Sequence, residues 1–234
     1  LAEVTADPRQ ILVIGAHPDD VEIGMGGTIA TLVQQGHRVT LLDLTNGEPT
    51  PMGSPERRKA ESEAAARVLG VARRIMLPLP NRYLMDTVEN RIAVAEVIRE
   101  VRPEILFIPY WVDAHPDHVA AEHLAEAARF YAKLTRTEMR GDPHYAGRIF
   151  HFFCTHYRLH VQPAFVMDIT DQIERKMEAV ACYRSQFNQE RGNLGLLDSI
   201  RGMAQYWGSR IRRSYGEPFD CKEEIGLRGL GDVI

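Results

Sequence analysis

Apolar and polar positions along the chain fall into alternating strand-like and helix-like periods. Residues 11–15 form an unbroken apolar run that reads as a strand buried on both faces. Residues 24–35 then carry Ile29, Leu32 and Val33 at helical spacing, with Gly36 as the C-cap, and 38–44 is a second strand. Ser54 and Pro55 supply an N-cap and a first-turn proline for a helix to Leu69, whose expected stripe is Ala60, Ala64, Ala65, Val68 and Leu69. A short strand at 75–77 leads into a loop through Pro78, Pro80, Asn81 and Arg82, followed by a helix at 87–101 and, beyond Pro103, a strand at 104–109. The next helix is marked by Val119, Leu124, Ala127, Ala128 and Tyr131, and the charged stretch 135–147 crosses the surface. Strands at 149–154 and 164–169 precede a helix opened by Thr170 and Asp171, with Ile173, Met177, Val180 and Ala181 inside. A last helix is expected over 194–213, anchored by Met203, Tyr206 and Ile211, with an irregular tail past Gly216. Strands alternating with helices imply an α/β fold: a Rossmann-like, mostly parallel sheet with helices on both faces. The expectation is a single domain over 1–234, with 1–9 a flexible or added leader.

Composition narrows the function classes. A chain of 234 residues with 44% hydrophobic content can bury one sizeable core. Its formal net charge of −4 offers no broad basic field, so neither nucleic acid nor an anionic membrane is an expected partner. Cys154, Cys182 and Cys221 are odd in number and lack a C-x-x-C pairing, which argues against a disulfide framework and fits a reducing cytoplasm. No apolar run approaches the roughly 20 residues of a membrane span.

Chemistry concentrates at two strand ends. The first strand breaks into Gly15-Ala16-His17-Pro18-Asp19-Asp20, and the strand at 104–109 runs into Asp113-Ala114-His115-Pro116-Asp117-His118. His17 and Asp20, three apart at a helix start, can converge on one point, which leaves Asp19 off that face. A dinucleotide turn is the competing reading, but it needs G-x-G-x-x-G backbone amides at a pyrophosphate. Here Pro18 has no N–H, and two carboxylates stand where the phosphate would lie. Asp43 only imitates a ribose-binding acid. His17, Asp20 and His118 together suit one zinc ion with an open position. Asp19 is then placed to take a proton from water, and His115 to act as acid or as positive charge opposite an oxyanion. Alone, either junction would read equally well as a helix cap with a buried histidine. His37, His144 and His151 lack ligand-spaced partners and read as structural, and His123 falls off the face of His118. His156 and His160 sit in a polar loop that could border a pocket, and Trp111 and Trp207 read as packing residues.

With these residues in hand, the chain resembles the LmbE-like, or PIG-L, zinc-dependent N-acetylglucosaminyl deacetylases, through Ala16-His17-Pro18-Asp19-Asp20 and His115-Pro116-Asp117-His118. The resemblance implies one zinc per chain on His17, Asp20 and His118, Asp19 as general base, His115 as electrostatic or acid partner, and Asp117 orienting His115. It also implies a homo-oligomer, a hexamer in many relatives. Asn46-Gly47-Glu48, the helix opening at Ser54 to Lys59, Cys182 to Phe187 and Tyr215 to Phe219 look most like the bacillithiol branch, whose substrate is N-acetylglucosaminyl L-malate. On that reading Arg58 binds a malate carboxylate and Arg82 adds a contact, while the bland reading of Arg58 is a solvated helix face. Alternatives are a deacetylase of a chitooligosaccharide or an antibiotic precursor and, in another class, a nucleotide-binding module.

Overall fold

The computed structural model of the chain describes residues 7–187 and 195–227. Among the described residues, seven strands form one sheet in the order β3-β2-β1-β4-β5-β7-β6. They are β1 (Gln10–Gly15), β2 (Arg38–Thr45), β3 (Arg73–Leu79), β4 (Ile105–Pro109), β5 (Arg148–Phe152), β6 (Phe165–Asp168) and β7 (Gly216–Asp220). From β3 through β5 every pairing is parallel, and β7 runs antiparallel to both its neighbours. The helices are α1 (Asp20–Gln34), α2 (Pro55–Leu69), α3 (Val88–Val101), α4 (Pro116–Ala132), α5 (Ile173–Ala181) and α6 (Leu196–Arg210).

The apolar run of β1 is buried on both faces because its alternate side chains feed two cores. Leu12 and Ile14 pack with α3 and α4 residues such as Val94, Ile98, Ala121 and Leu124. Ile11 and Val13 pack on the other face with Val21, Met25 and Ile29 of α1, Ala65 and Leu69 of α2, and Ala179 of α5. Strand order reverses direction at β1, which leads to β2 on one side and lies against β4 on the other. In an open α/β sheet that reversal opens a crevice beyond the carboxyl ends of the strands. The two histidine-bearing junctions follow β1 and β4, so topology alone brings them together.

Several elements depart from the sequence pattern. Helix α1 starts at Asp20, and at Met25 its backbone leaves the helical region (φ −150°, ψ 25°). The break frees the N–H groups of Gly27 and Thr28, which donate to the Glu217 carboxylate at 3.0 and 2.6 Å. The tail past Gly216 is therefore not irregular: it forms β7 and carries this carboxylate. Pro218 argues against a strand from sequence, but the β5 ladder engages only Phe219 and Asp220, and Pro218 takes its place in the ladder with β6, opposite Val166. In α6 the buried residues are Ile200, Ala204 and Gly208, whereas the expected anchors Met203 and Tyr206 are half-exposed. Gly208 permits the close approach, since a Cβ there would lie 2.5 Å from the Tyr215 amide nitrogen. Helix α2 buries Arg58, Glu61 and Ser62 beside Ala65 and Leu69, and Ala60 of the expected stripe is exposed. Strand β3 extends through Pro78 to Leu79. Expectations for residues 1–6 and for a helix start at Leu194 lie outside the described residues. Among the described residues no helix is long and apolar enough to cross a membrane.

Candidate active site

Asp20, in the first turn of α1, stands between two imidazoles. Its Oδ2 is 3.6 Å from His17 Nδ1 and its Oδ1 is 3.2 Å from His118 Nε2. The carboxylate is fixed in turn by the His17 backbone N–H, which donates to Oδ2 at 2.8 Å. Each histidine is also held from behind: His17 Nε2 lies 3.1 Å from Asp117 Oδ2, and His118 Nδ1 lies 2.6 Å from Asp113 Oδ2. Asp117 is locked by the backbone N–H groups of Arg82 and Leu84, at 2.6 and 3.2 Å. Ligating atoms of His17, Asp20 and His118 thus converge within 4.8 Å of one another, all on buried residues.

This donor set fits a divalent metal ion. Histidines that ligate metals characteristically donate their far ring nitrogen to a carboxylate, which fixes tautomer and orientation. Both histidines here have that partner, which leaves His17 Nδ1 and His118 Nε2 facing Asp20. The electrostatics agree. Burial works against charge on His17, but Asp117 and Asp20 outweigh it and raise its pKa to about 9. His118 is raised to about 10, burial again opposing and Asp20 and Asp113 prevailing. Asp20 lies well below the ordinary carboxylate range because the two imidazoles beside it overcome its desolvation. Carboxylates outnumber cations around these rings, so the centre attracts positive charge.

Asp19 points elsewhere. It precedes α1 at φ 118°, in a region that costs a non-glycine residue about 1–3 kcal/mol, and its backbone C=O accepts the Ile23 N–H at 3.0 Å. Its Oδ2 lies 3.4 Å from Arg58 Nη1. Burial pushes Asp19 up to about 7, with Arg58 opposing and Asp20 adding to the rise. Arg58 is 3% exposed, so it is no solvated helix face, and its Nε and Nη1 make no hydrogen bond. The loop after β2 closes over it: a Cβ on Gly47 (φ 71°) would lie 2.8 Å from Arg58 Nε. Arg82 has its guanidinium on the Pro49 carbonyl (2.6 Å) and enters the site through its backbone N–H to Asp117.

His115 stacks on His118 at 4.8 Å and meets His17 edge-on at 4.8 Å. Burial and the two neighbouring imidazoles lower it to about 4. The expectation that the Asp117 carboxylate orients His115 is corrected by the geometry. That carboxylate lies on His17, and the contact with His115 is the Asp117 backbone N–H donating to His115 Nδ1 at 3.2 Å. His156 borders the same centre, its ring 5.2 Å from His118 and its N–H on Asp113 Oδ1 at 2.9 Å. Cys154 Sγ lies 3.9 Å from Asp20 Oδ1. Asp43 is committed to Arg74, which grips both its oxygens at 2.6 and 2.7 Å, so it does not face a ribose site. Arg74 also pairs with buried Glu22, and the Tyr183 hydroxyl donates to Glu22 at 2.9 Å, which builds a polar floor beneath the centre. Sequence reading missed Asp113, Glu22 and Arg74. Asp113, in the loop between β4 and α4, was the one available signal.

The family described as PIG-L, GlcNAc-PI de-N-acetylase, matches residues 12–129, a span that contains both junctions. The diacetylchitobiose deacetylase of Thermococcus kodakarensis is 33% identical over 229 residues, covering 90% of this chain and 82% of that one. The chain belongs to the PIG-L family. Another relative, the 1D-myo-inositol 2-acetamido-2-deoxy-alpha-D-glucopyranoside deacetylase 2 of Catenulispora acidiphila, is 31% identical over 55% of this chain, which spans 53% of that protein's length. Among solved structures, a conserved protein of Thermus thermophilus superposes with a TM-score of 0.87 at 35% identity, covering 94% of this chain and 97% of its own. The PIG-L match thus takes in β1, β4 and the metal-type centre between them.

Proposed function

We propose that the chain hydrolyses the acetamide of an N-acetylglucosamine-type sugar, with one zinc ion held by His17, Asp20 and His118. The carrying observation is that histidines from separate strand ends face one carboxylate while further carboxylates, Asp113 and Asp117, hold their far nitrogens. Zinc held there supplies Lewis-acid polarisation of the amide carbonyl and acidification of water. Asp19, beside the ligands but turned off their face, accepts the proton that water loses as its oxygen bonds to the acetyl carbon. Arg58 opposes the burial that raises Asp19 and aims its carboxylate. His115 stands beside His17 and His118, accepts the Asp117 N–H at Nδ1 and so carries its proton on Nε2. From there it donates a hydrogen bond to the developing oxyanion, while Asp19 returns the proton taken from water to the leaving nitrogen. The C–N bond breaks, and acetate and a free amino sugar depart.

Two finer substrates each have a supporting observation. Arg58 Nε and Nη1 make no hydrogen bond inside the site, which supports a carboxylate-bearing aglycone such as the malate of N-acetylglucosaminyl L-malate. The relative from Thermococcus supports diacetylchitobiose, which has no carboxylate. Acetate release from the two compounds is the test. Under the malate reading, Arg58→Ala costs more on the malate glycoside than on diacetylchitobiose, by about 10-fold or more in KM, the worth of a hydrogen bond to a charged group. Equal losses on both would confine Arg58 to supporting Asp19. Absence of acetate from both would overturn the deacetylase reading.

A further inference from the structure

One turn along α4 from His118, Glu122 is fully buried and faces His151 of β5, which is 1% exposed. Neither ring nitrogen of His151 makes a hydrogen bond, nor does Glu122 Oε2, which lies 3.5 Å from His123 Nε2. Buried polar atoms are ordinarily paired, and each left unpaired costs about 1–3 kcal/mol. His151 Nε2 lies 3.4 Å from Glu122 Oε1 and 3.8 Å from Glu126 Oε1. Ligands at about 2.1 Å around a tetrahedral ion stand roughly 3.4 Å apart. His151 thus stands near ligand separation from both carboxylates, and the ligating atoms of all three side chains lie within 4.8 Å of one another.

A cation already sits against these carboxylates. Lys222 Nζ lies 2.8 Å from Glu122 Oε1 and 2.9 Å from Glu126 Oε2. The Lys222 side chain is 43% exposed and follows β7, so its ammonium has solvent to withdraw into, with the Trp111 ring 5.3 Å away. With Lys222 in place, the ring nitrogens of His151 and Oε2 of Glu122 still lack a hydrogen bond.

We propose that Glu122, Glu126 and His151 form a second divalent-cation site, separate from the centre at His17, and that Lys222 competes for it. A divalent ion balances both carboxylates, gives His151 its missing partner and releases Lys222. One imidazole with two carboxylates favours zinc or manganese over magnesium or calcium, which prefer oxygen alone. Glu126 also lines an open depression of about 200 Å³ with Arg129, Tyr145 and Ile149, a route for the ion from solvent.

The test counts metal rather than activity. The double variant His17→Ala, His118→Ala lacks the first site, and equilibrium dialysis against Zn²⁺ and Mn²⁺ should leave it about one bound ion per chain. Adding Glu126→Gln, at a partly exposed position, should weaken that ion on the order of tenfold or more, and adding Lys222→Ala should tighten it by a similar factor. If the double variant does not fold, the zinc-loaded wild-type protein serves: it should take up a second ion that Glu126→Gln loses. Absence of any ion beyond the first site, even with Lys222→Ala, would overturn the proposal. So would binding that Glu126→Gln leaves unchanged.

Discussion

Asp19 and Asp20 are adjacent in the chain and occupy opposite surroundings. Asp20 lies between two imidazoles, whereas Asp19 is turned by its φ of 118° toward Arg58. Asp19→Asn is therefore expected to keep the metal while turnover falls ~10²–10⁴, the usual worth of a general base. Asp20→Asn should lose metal as well as turnover. Metal content and acetate release measured on the same samples check both, and full turnover in Asp19→Asn would remove it from the base role. A second expectation concerns the carboxylate behind His118. Asp113→Asn should weaken metal binding about 10–100-fold by releasing the imidazole, as competition with a chelator would read; unchanged affinity would show that Asp113 does not tune the ligand. The convergence of His17, Asp20 and His118 was legible because residue type and spacing repeat at two strand ends. Asp113 was not, since only the curl of the loop after β4 brings its carboxylate to His118. Arg58 was legible as a candidate but not as buried: its partner, Asp19, belongs to another element, and nothing local to α2 reveals it.

Helix α1 survives its break at Met25 because Glu217 accepts the freed N–H groups and pairs with buried Lys176. Glu217→Ala leaves that ammonium without its carboxylate and is expected to cost about 3–5 kcal/mol in urea unfolding. A loss under about 1 kcal/mol, the size of a surface ion pair, would contradict the arrangement. Helix α6 makes a paired expectation. Gly208→Ala drives a Cβ into the Tyr215 backbone and should cost about 1–3 kcal/mol, while Met203→Ala, on the exposed side, should stay within about 0.5 kcal/mol. The reverse order would restore the face read from sequence. That face was misread because hydrophobic size was taken as the sign of burial, and here the inward positions carry small residues that let backbones touch. The strands from β1 to β5 were legible from their apolar runs. Strand β7 was hidden by Pro218 and by pairing with β5 and β6, segments distant in the chain.

At the scale of the whole molecule, the order β3-β2-β1-β4-β5 sets two strand ends side by side, and the chemistry follows from that adjacency. Alternating periods implied a parallel sheet, but they carried no information on where an antiparallel strand would insert, because that depends on pairing between distant segments. A metal bound only by the folded state stabilises it by mass action, so stripping the ion should lower stability by about 2.7 kcal/mol relative to protein at a hundredfold excess over Kd. Thermal unfolding with and without chelator reads this shift, and coincident transitions would mean no ion joins the two junctions. The central claim is metal-dependent deacetylation of an N-acetylglucosamine-type amide. It is tested most directly by counting acetate and free amine released from diacetylchitobiose and N-acetylglucosaminyl L-malate, with chelated protein before and after zinc is restored. The account expects equal amounts of the two products from at least one substrate, only after zinc is restored. Release that persists in the chelated protein, or no acetate from either substrate with zinc present, would contradict it.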